Sequence, residues 1–219
     1  MKARGFALGV WLWFGAFSAA PAQPAGEALI DPAHRLTADA PAWRTLADDF
    51  RAQPDCVATF EERRFFPFRN EPIVLKGEVR VSRAHGLSLH YTAPEERTVV
   101  IDAHGMVIRE PSGRNAAPPD PRANAANDAL RHVLRLDFSA LEKGYEVYGH
   151  AAGEAWSLAL VPRDAAVRRG IGNIFVTGAG VAVQRIELRR SARQHIDIAM
   201  SDRISAGPFT AEEIARYFR

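Results

Sequence analysis

The chain has a single cysteine, Cys56, in 219 residues. An intramolecular disulfide is excluded, so packing alone must hold the fold. Cys56 itself reads as a small buried hydrophobe beside a strand. Lysine is nearly absent: Lys2, Lys76 and Lys143 are the only ones, and arginine supplies the other cations. There is no polybasic tail and no block of like charge, which argues against nucleic acid as a partner. The seven histidines are scattered, and no histidine or cysteine pair has metal-ligand spacing. No G-x-S-x-G elbow is present. Gly170-Ile171-Gly172 and Gly178-Ala179-Gly180 lack the strand-to-helix setting of a phosphate loop and read as turns. Ser88 and His90, and Asp102 and His104, are close in sequence, but such proximity is common on strands and turns. These absences point away from an enzyme and from any metal or cofactor; the expectation is no catalytic residue and no cofactor.

Long apolar runs are also lacking, apart from one at the N-terminus. Lys2 and Arg4 precede an apolar stretch from Phe6 to Phe17, and Ala20-Pro21-Ala22 fits an A-x-A cleavage site. This is the pattern of a secretory signal peptide, with cleavage expected near Ala22. The run is short for a span, which needs about 20 apolar residues. No cysteine follows the site, so a lipid-anchored lipoprotein is not expected. Losing Lys2 and Arg4 with the signal leaves the remaining charges balanced. Residues 1–22 are therefore assigned to the signal peptide and 23–219 to a single domain, long enough to bury its own core.

The strongest pattern lies in residues 73–91. Ile73, Leu75, Gly77, Val79 and Val81 share one parity; Val74, Lys76, Glu78, Arg80 and Ser82 share the other. After a turn at His85-Gly86, Leu87, Leu89 and Tyr91 alternate with Ser88, His90 and Thr92. Alternation places one face in an apolar setting and the other in water. Two such strands form an antiparallel sheet with one apolar face that something must cover.

Around them, residues 23–38 read as a loose lead-in. Asp39-Ala40-Pro41 reads as a helix start, with Asp39 as cap. Trp43, Leu46, Ala47 and Phe50 then form a helical stripe, ended by Pro54. Val57–Phe66 is a strand candidate. Val99-Val100-Ile101 and Met106-Val107-Ile108 form a hairpin pair expected to be buried on both faces. The four prolines of residues 111–122 demand a loop. A helix follows, capped by Asn124 or Asn127, with Leu130, Val133 and Leu134 as its stripe, and a short helix or turn covers Phe138–Lys143. Further strands are expected at Tyr145–Gly149, Ala155–Val161, Ile174–Val176, Val181–Arg189 and His195–Arg203. Thr210 with Glu213 marks a capping box for a final helix. The fold class is α+β: a curved antiparallel sheet forming an incomplete β-barrel, with helices over its open side.

Several stretches resemble the periplasmic outer-membrane lipoprotein carrier family (LolA-like), in that family's order. They are Val57-Ala58-Thr59-Phe60-Glu61-Glu62, Leu75 to Val81, Ser82-Arg83, Pro94 to Gly105, Leu158-Ala159-Leu160-Val161-Pro162, and Ile174 to Leu188. Ala84 stands where the family usually has proline, His104 lengthens the Asp-Gly turn, and the C-terminal segment looks helical, so a divergent branch is implied. The resemblance implies a soluble periplasmic carrier that shields the acyl chains of lipoproteins, or of a related lipid, between inner and outer membrane. An inner-membrane exporter would load it, an outer-membrane acceptor would unload it, and the carrier would act as a monomer. The competing reading is a periplasmic regulatory protein that senses lipid or lipoprotein.

A carrier must enclose its cargo, because a free chain of roughly fifteen methylenes costs on the order of 12 kcal/mol in water. The expected cavity wall is Phe60, Ile73, Leu75, Val79, Val81, Leu87, Leu89 and Tyr91, with Leu130, Val133 and Leu134 on the helical cover. The same residues could equally pack on one another as an ordinary core. The resemblance further implies that Arg83, at the rim between two strands, latches the lid through hydrogen bonds; arginine offers five donors in a planar fork and keeps its charge.

Overall fold

The computed structural model describes residues 26–37, 40–112, 115–116 and 121–219. The signal-peptide assignment and the proposed cap Asp39 lie outside them. Among the described residues, eleven strands form one antiparallel sheet: β1 (Cys56–Phe65), β2 (Ile73–Ser82), β3 (Gly86–Ala93), β4 (Arg97–Asp102), β5 (Gly105–Arg109), β6 (Asn115–Ala116), β7 (Tyr145–Ala152), β8 (Ala155–Pro162), β9 (Asn173–Ala179), β10 (Ala182–Ser191) and β11 (Gln194–Ser205). Five helices accompany them: α1 (Pro41–Ala52), α2 (Pro121–Val133), α3 (Phe138–Gly144), α4 (Ala165–Ile171) and α5 (Ala211–Tyr217).

The strand order is β6-β5-β4-β3-β2-β1-β11-β10-β9-β8-β7, so β1 and β11 meet in the middle and the sheet does not close. It is the α+β incomplete barrel that the sequence implies. Register shifts bend the sheet, between Val57 and Thr59 on β1 and between Lys76 and Gly77 on β2. Gly77 is required at the second: a Cβ there would lie 2.2 Å from the His90 carbonyl oxygen. The alternation seen in the sequence holds on the concave face, where Ala58, Phe60, Leu75, Val79, Leu87 and Leu89 are buried. On that face α1 packs Trp43 against Phe138 of α3, edge-on with centroids 5.6 Å apart, and Phe50 against Trp156 of β8.

The opposite face departs from expectation. Alternation predicts Arg80, Ser82 and Ser88 in water, yet all three are buried. The chain's last residues lie on this face, against Arg80, His85 and His90. Tyr217 lies with its ring 3.5 Å from the Arg80 guanidinium carbon, and Phe209 and Phe218 are buried. Arg109 of β5 donates to the carbonyls of Ala215, Arg216 and Phe218, and Arg219 pairs with Asp102. On the other wing the lead-in does the same work. Leu29, Tyr148, Ala159 and Phe175 form a second small core there. Arg35 bridges to Tyr148, and the Leu36 N–H donates to the Val147 carbonyl, which shields the edge strand β7. Residues 26–36 are thus structured rather than loose.

Helix starts are the other corrections. Ala40 is the cap of α1 and makes no side-chain capping bond. The α2 helix begins at Pro121, ahead of both Asn124 and Asn127, because proline tolerates the first turn. Asn127 lies inside the helix and donates to the Met106 sulfur. Helix α4 was not expected; Asp164 starts it by accepting from the Ala166 and Val167 N–H groups. The capping box at Thr210 and Glu213 is formed. Val100 and Ile101 of β4 are fully buried, whereas the β5 residues Met106, Val107 and Ile108 are only partly so.

Candidate functional site

A cavity of about 830 Å³ opens at one end of the concave face, where β1 begins and β2 ends. Its floor is apolar: Ala47 and Phe50 from α1, Ala58 from β1, Val79 and Val81 from β2, Val183 from β10 and Met200 from β11. Leu134 and Phe138, at the junction of α2 and α3, close it from above. Its rim is charged. Arg44, Arg51, Arg83, Arg135 and Arg203 surround it, with Asp55, Asp137 and Asp202 among them.

Of the residues expected to line a cavity, the structure brings Val79, Val81 and Leu134 to it, with Arg83 on the rim. Phe60, Leu75, Leu87, Leu89, Tyr91 and Val133 are buried in the main core instead, and Ile73 and Leu130 pack partly buried against it. The far half of the concave face is filled. Phe60 meets Tyr91 edge-on at 5.1 Å, and the Tyr91 hydroxyl donates to Glu62 at 2.7 Å. Glu62 is 3% exposed and also accepts from the Arg64 guanidinium. Burial and the Glu62 carboxylate push the Tyr91 hydroxyl well above the ordinary tyrosine range, so it stays protonated and keeps donating. A buried carboxylate is tolerated because both donors reach it.

The cover is fastened by an arginine, but not by the side chain of Arg83. Arg135, between α2 and α3, donates to the Ser82 carbonyl and, at 3.2 Å, to the Arg83 carbonyl. Arg83 serves with its backbone: its N–H donates to Asp55 at 3.0 Å, and Asp55 also accepts from the Ser82 hydroxyl. The Arg83 guanidinium is exposed and, among the described residues, has no hydrogen-bond partner. Burial, then the nearby charges of Arg131 and Arg83, push the Arg135 pKa down. Arg135 had a legible signal, a charge set between Leu134 and Leu136 in an apolar stripe; its direction across the rim did not.

Cys56 lines the cavity but is not poised to react. Burial raises its pKa, and the opposing pull of Arg203 is smaller. The thiol form is inert as a nucleophile. Among the described residues no group of three or more His, Cys, Asp or Glu could hold a metal ion, and no helix is long and apolar enough to cross a membrane. The arrangement can enclose an apolar group beneath a cationic rim.

No curated protein matches the chain in sequence. Among solved structures it is similar to a LolA superfamily protein from Nitrosomonas europaea, at 8% identity and TM-score 0.42, over 78% of this chain and 96% of that one. It is similar also to the MucA/MucB complex of Pseudomonas aeruginosa, at 18% identity and TM-score 0.44, over 80% of this chain but only 60% of that one. LprF from Mycobacterium bovis is similar at 12% identity and TM-score 0.32, over 78% of this chain and 96% of that one. The family model described as outer membrane lipoprotein carrier protein LolA-like matches residues 46–212. With most of its length matched, the chain belongs to the LolA-like family of outer membrane lipoprotein carrier proteins.

Proposed function

We propose that the protein is a periplasmic carrier that shelters the acyl portion of a lipoprotein or related lipid between inner and outer membrane. The observation that carries this reading is the cavity of about 830 Å³, apolar on its floor and covered by helices that one arginine fastens. Its size falls within the range of roughly 300–1,000 Å³ typical of ligand pockets. A methylene fills about as much space as a water in bulk, roughly 30 Å³, so a chain of fifteen needs about 450 Å³. One such chain fits with room for the start of its headgroup. Val79, Val81 and Leu134 are the wall residues, and opening at Arg135 is the route in. An exporter would load the carrier and an acceptor would receive the cargo, with no nucleotide or cofactor at the carrier itself.

The test is extraction of the protein from its native periplasm, followed by mass spectrometry of what accompanies it. A stoichiometric acylated compound, together with an N-terminus near Gln23, is the expected result. Protein recovered free of lipid that also fails to bind a fluorescent acyl probe would overturn the proposal. A stable complex with an inner-membrane protein that forms regardless of lipid would instead favour the sensing role.

A further inference from the structure

The carrier reading concerns the floor of the cavity; the rim has chemistry of its own. Five arginines stand there against three aspartates. The aspartates accept hydrogen bonds from neutral donors and offset only part of that charge. Asp55 accepts from the Ser82 hydroxyl and the Arg83 N–H. Asp202 accepts from the Thr59 and Ser201 hydroxyls, and Asp137 caps α3 through the Ala140 N–H. Among the described residues, Arg51 pairs with Asp48, while Arg44, Arg83, Arg135 and Arg203 have no carboxylate within 4 Å. Arg135 is half-buried, and the like charges of Arg131 and Arg83 outweigh the opposite charges of Asp55 and Asp137 on it. The rim therefore holds more guanidinium than carboxylate groups, and its like charges repel one another. An anion at the mouth would relieve that, and the guanidinium fork binds phosphate and carboxylate through paired charge-assisted bonds.

Resting on the carrier reading, we propose that the cavity selects anionic amphiphiles: a phosphate or carboxylate headgroup sits on the arginine rim while its alkyl chain fills the apolar floor. The headgroup site takes its charge from Arg44, Arg83 and Arg203, and Arg135 ties it to the cover. Seating an anion there also competes for the Arg135 donors that now bind the Ser82 and Arg83 carbonyls, so headgroup binding and loosening of the cover are coupled.

The experiment compares dodecyl phosphate with dodecanol on the full mature protein, by displacement of a fluorescent acyl probe at about 0.01 M and about 0.5 M salt. The readout is the affinity ratio of the two within each protein variant, which a general loss of folding does not alter. Dodecyl phosphate is expected to bind at least about tenfold more tightly at low salt, with the preference shrinking at high salt. In the double variant Arg44→Gln/Arg83→Gln the ratio should fall several-fold. Inorganic phosphate, the other source of the same anion, should displace dodecyl phosphate only at far higher concentration. Equal binding of the two dodecyl compounds would overturn the headgroup inference and leave the carrier reading standing. Displacement by inorganic phosphate at matched concentration would overturn it in favour of a free-anion site. Failure of both dodecyl compounds to bind would remove the carrier reading itself.

Discussion

Replacing Arg135 by leucine should loosen the helical cover without unfolding the sheet. The substitution removes the donors to the Ser82 and Arg83 carbonyls and leaves the cover's apolar anchors in place. Those anchors are Val133, Leu134, Leu136 and Leu141, all buried. Full burial of such side chains stabilises by about 1.5–3 kcal/mol each. The closed cover therefore still dominates in the variant. A hydrogen bond from a charged donor contributes about 1.5–3 kcal/mol, and the one to Arg83 is discounted because it is exposed. The expected loss is about 2–4 kcal/mol, which raises the open population roughly 30- to 900-fold. Native-state amide exchange reads this directly. Protection across residues 129–141 should fall by that factor while β8 and β9 keep theirs. Arg83→Leu keeps the carbonyl that Arg135 uses and should leave protection unchanged. If Arg135→Leu lowered protection equally everywhere, Arg135 would be a general stabiliser; if residues 129–141 did not change, the fastening would be of no consequence.

Tyr91→Phe removes the hydroxyl that donates to buried Glu62 and should cost about 1.5–3 kcal/mol in urea unfolding; a loss under about 0.5 kcal/mol would show that Glu62 finds another donor. Leu89 is 4% exposed and does not line the cavity, so Leu89→Glu should unfold the protein, with circular dichroism as the check. Val81→Glu, on the cavity wall, should keep the fold and lose acyl-probe binding; the reverse pattern would place the void elsewhere. The Tyr145 hydroxyl is pushed up to about 12, chiefly by burial. A pKa raised in the folded state gives stability that is whole below about pH 10 and is lost as pH rises through the folded value. Denaturation midpoints should therefore decline between about pH 10 and 12, and Tyr145→Phe should flatten that decline.

Local patterns carried much of this architecture. The alternation in β2 and β3 reports a face that is apolar along its length, and Thr210 with Glu213 reports a helix start that needs no distant partner. What alternation cannot report is the company each face keeps. Arg80, Ser82 and Ser88 have the composition of a solvent face, yet a segment more than a hundred residues later lies on it. Likewise the concave residues form one apolar set in sequence, but a void and a packed core draw on the same residue types. Phe60, Leu87 and Leu89 lie in the core alone, whereas Val79 and Val81 pack with that core and also line the cavity. The partners of those two, Phe50, Val183 and Met200, come from three distant elements. Arg135 and Arg83 differ in the same way: which arginine reaches across a rim depends on the path of the backbone, and no local spacing encodes it.

The pairing of β1 with β11 has a consequence for how the molecule comes into being. Thr59 and Ser201 bond across that pair from positions 142 apart in sequence. The strands β1 to β5 form one run of hairpins and β7 to β11 another, so each wing can assemble from near neighbours. The junction between them cannot; it waits for a long loop to close and is the slow step that topology imposes. A chain delivered N-terminus first holds both wings before it holds a cavity. Deleting the last strand would not trim the edge of the sheet; it would separate its halves along the middle.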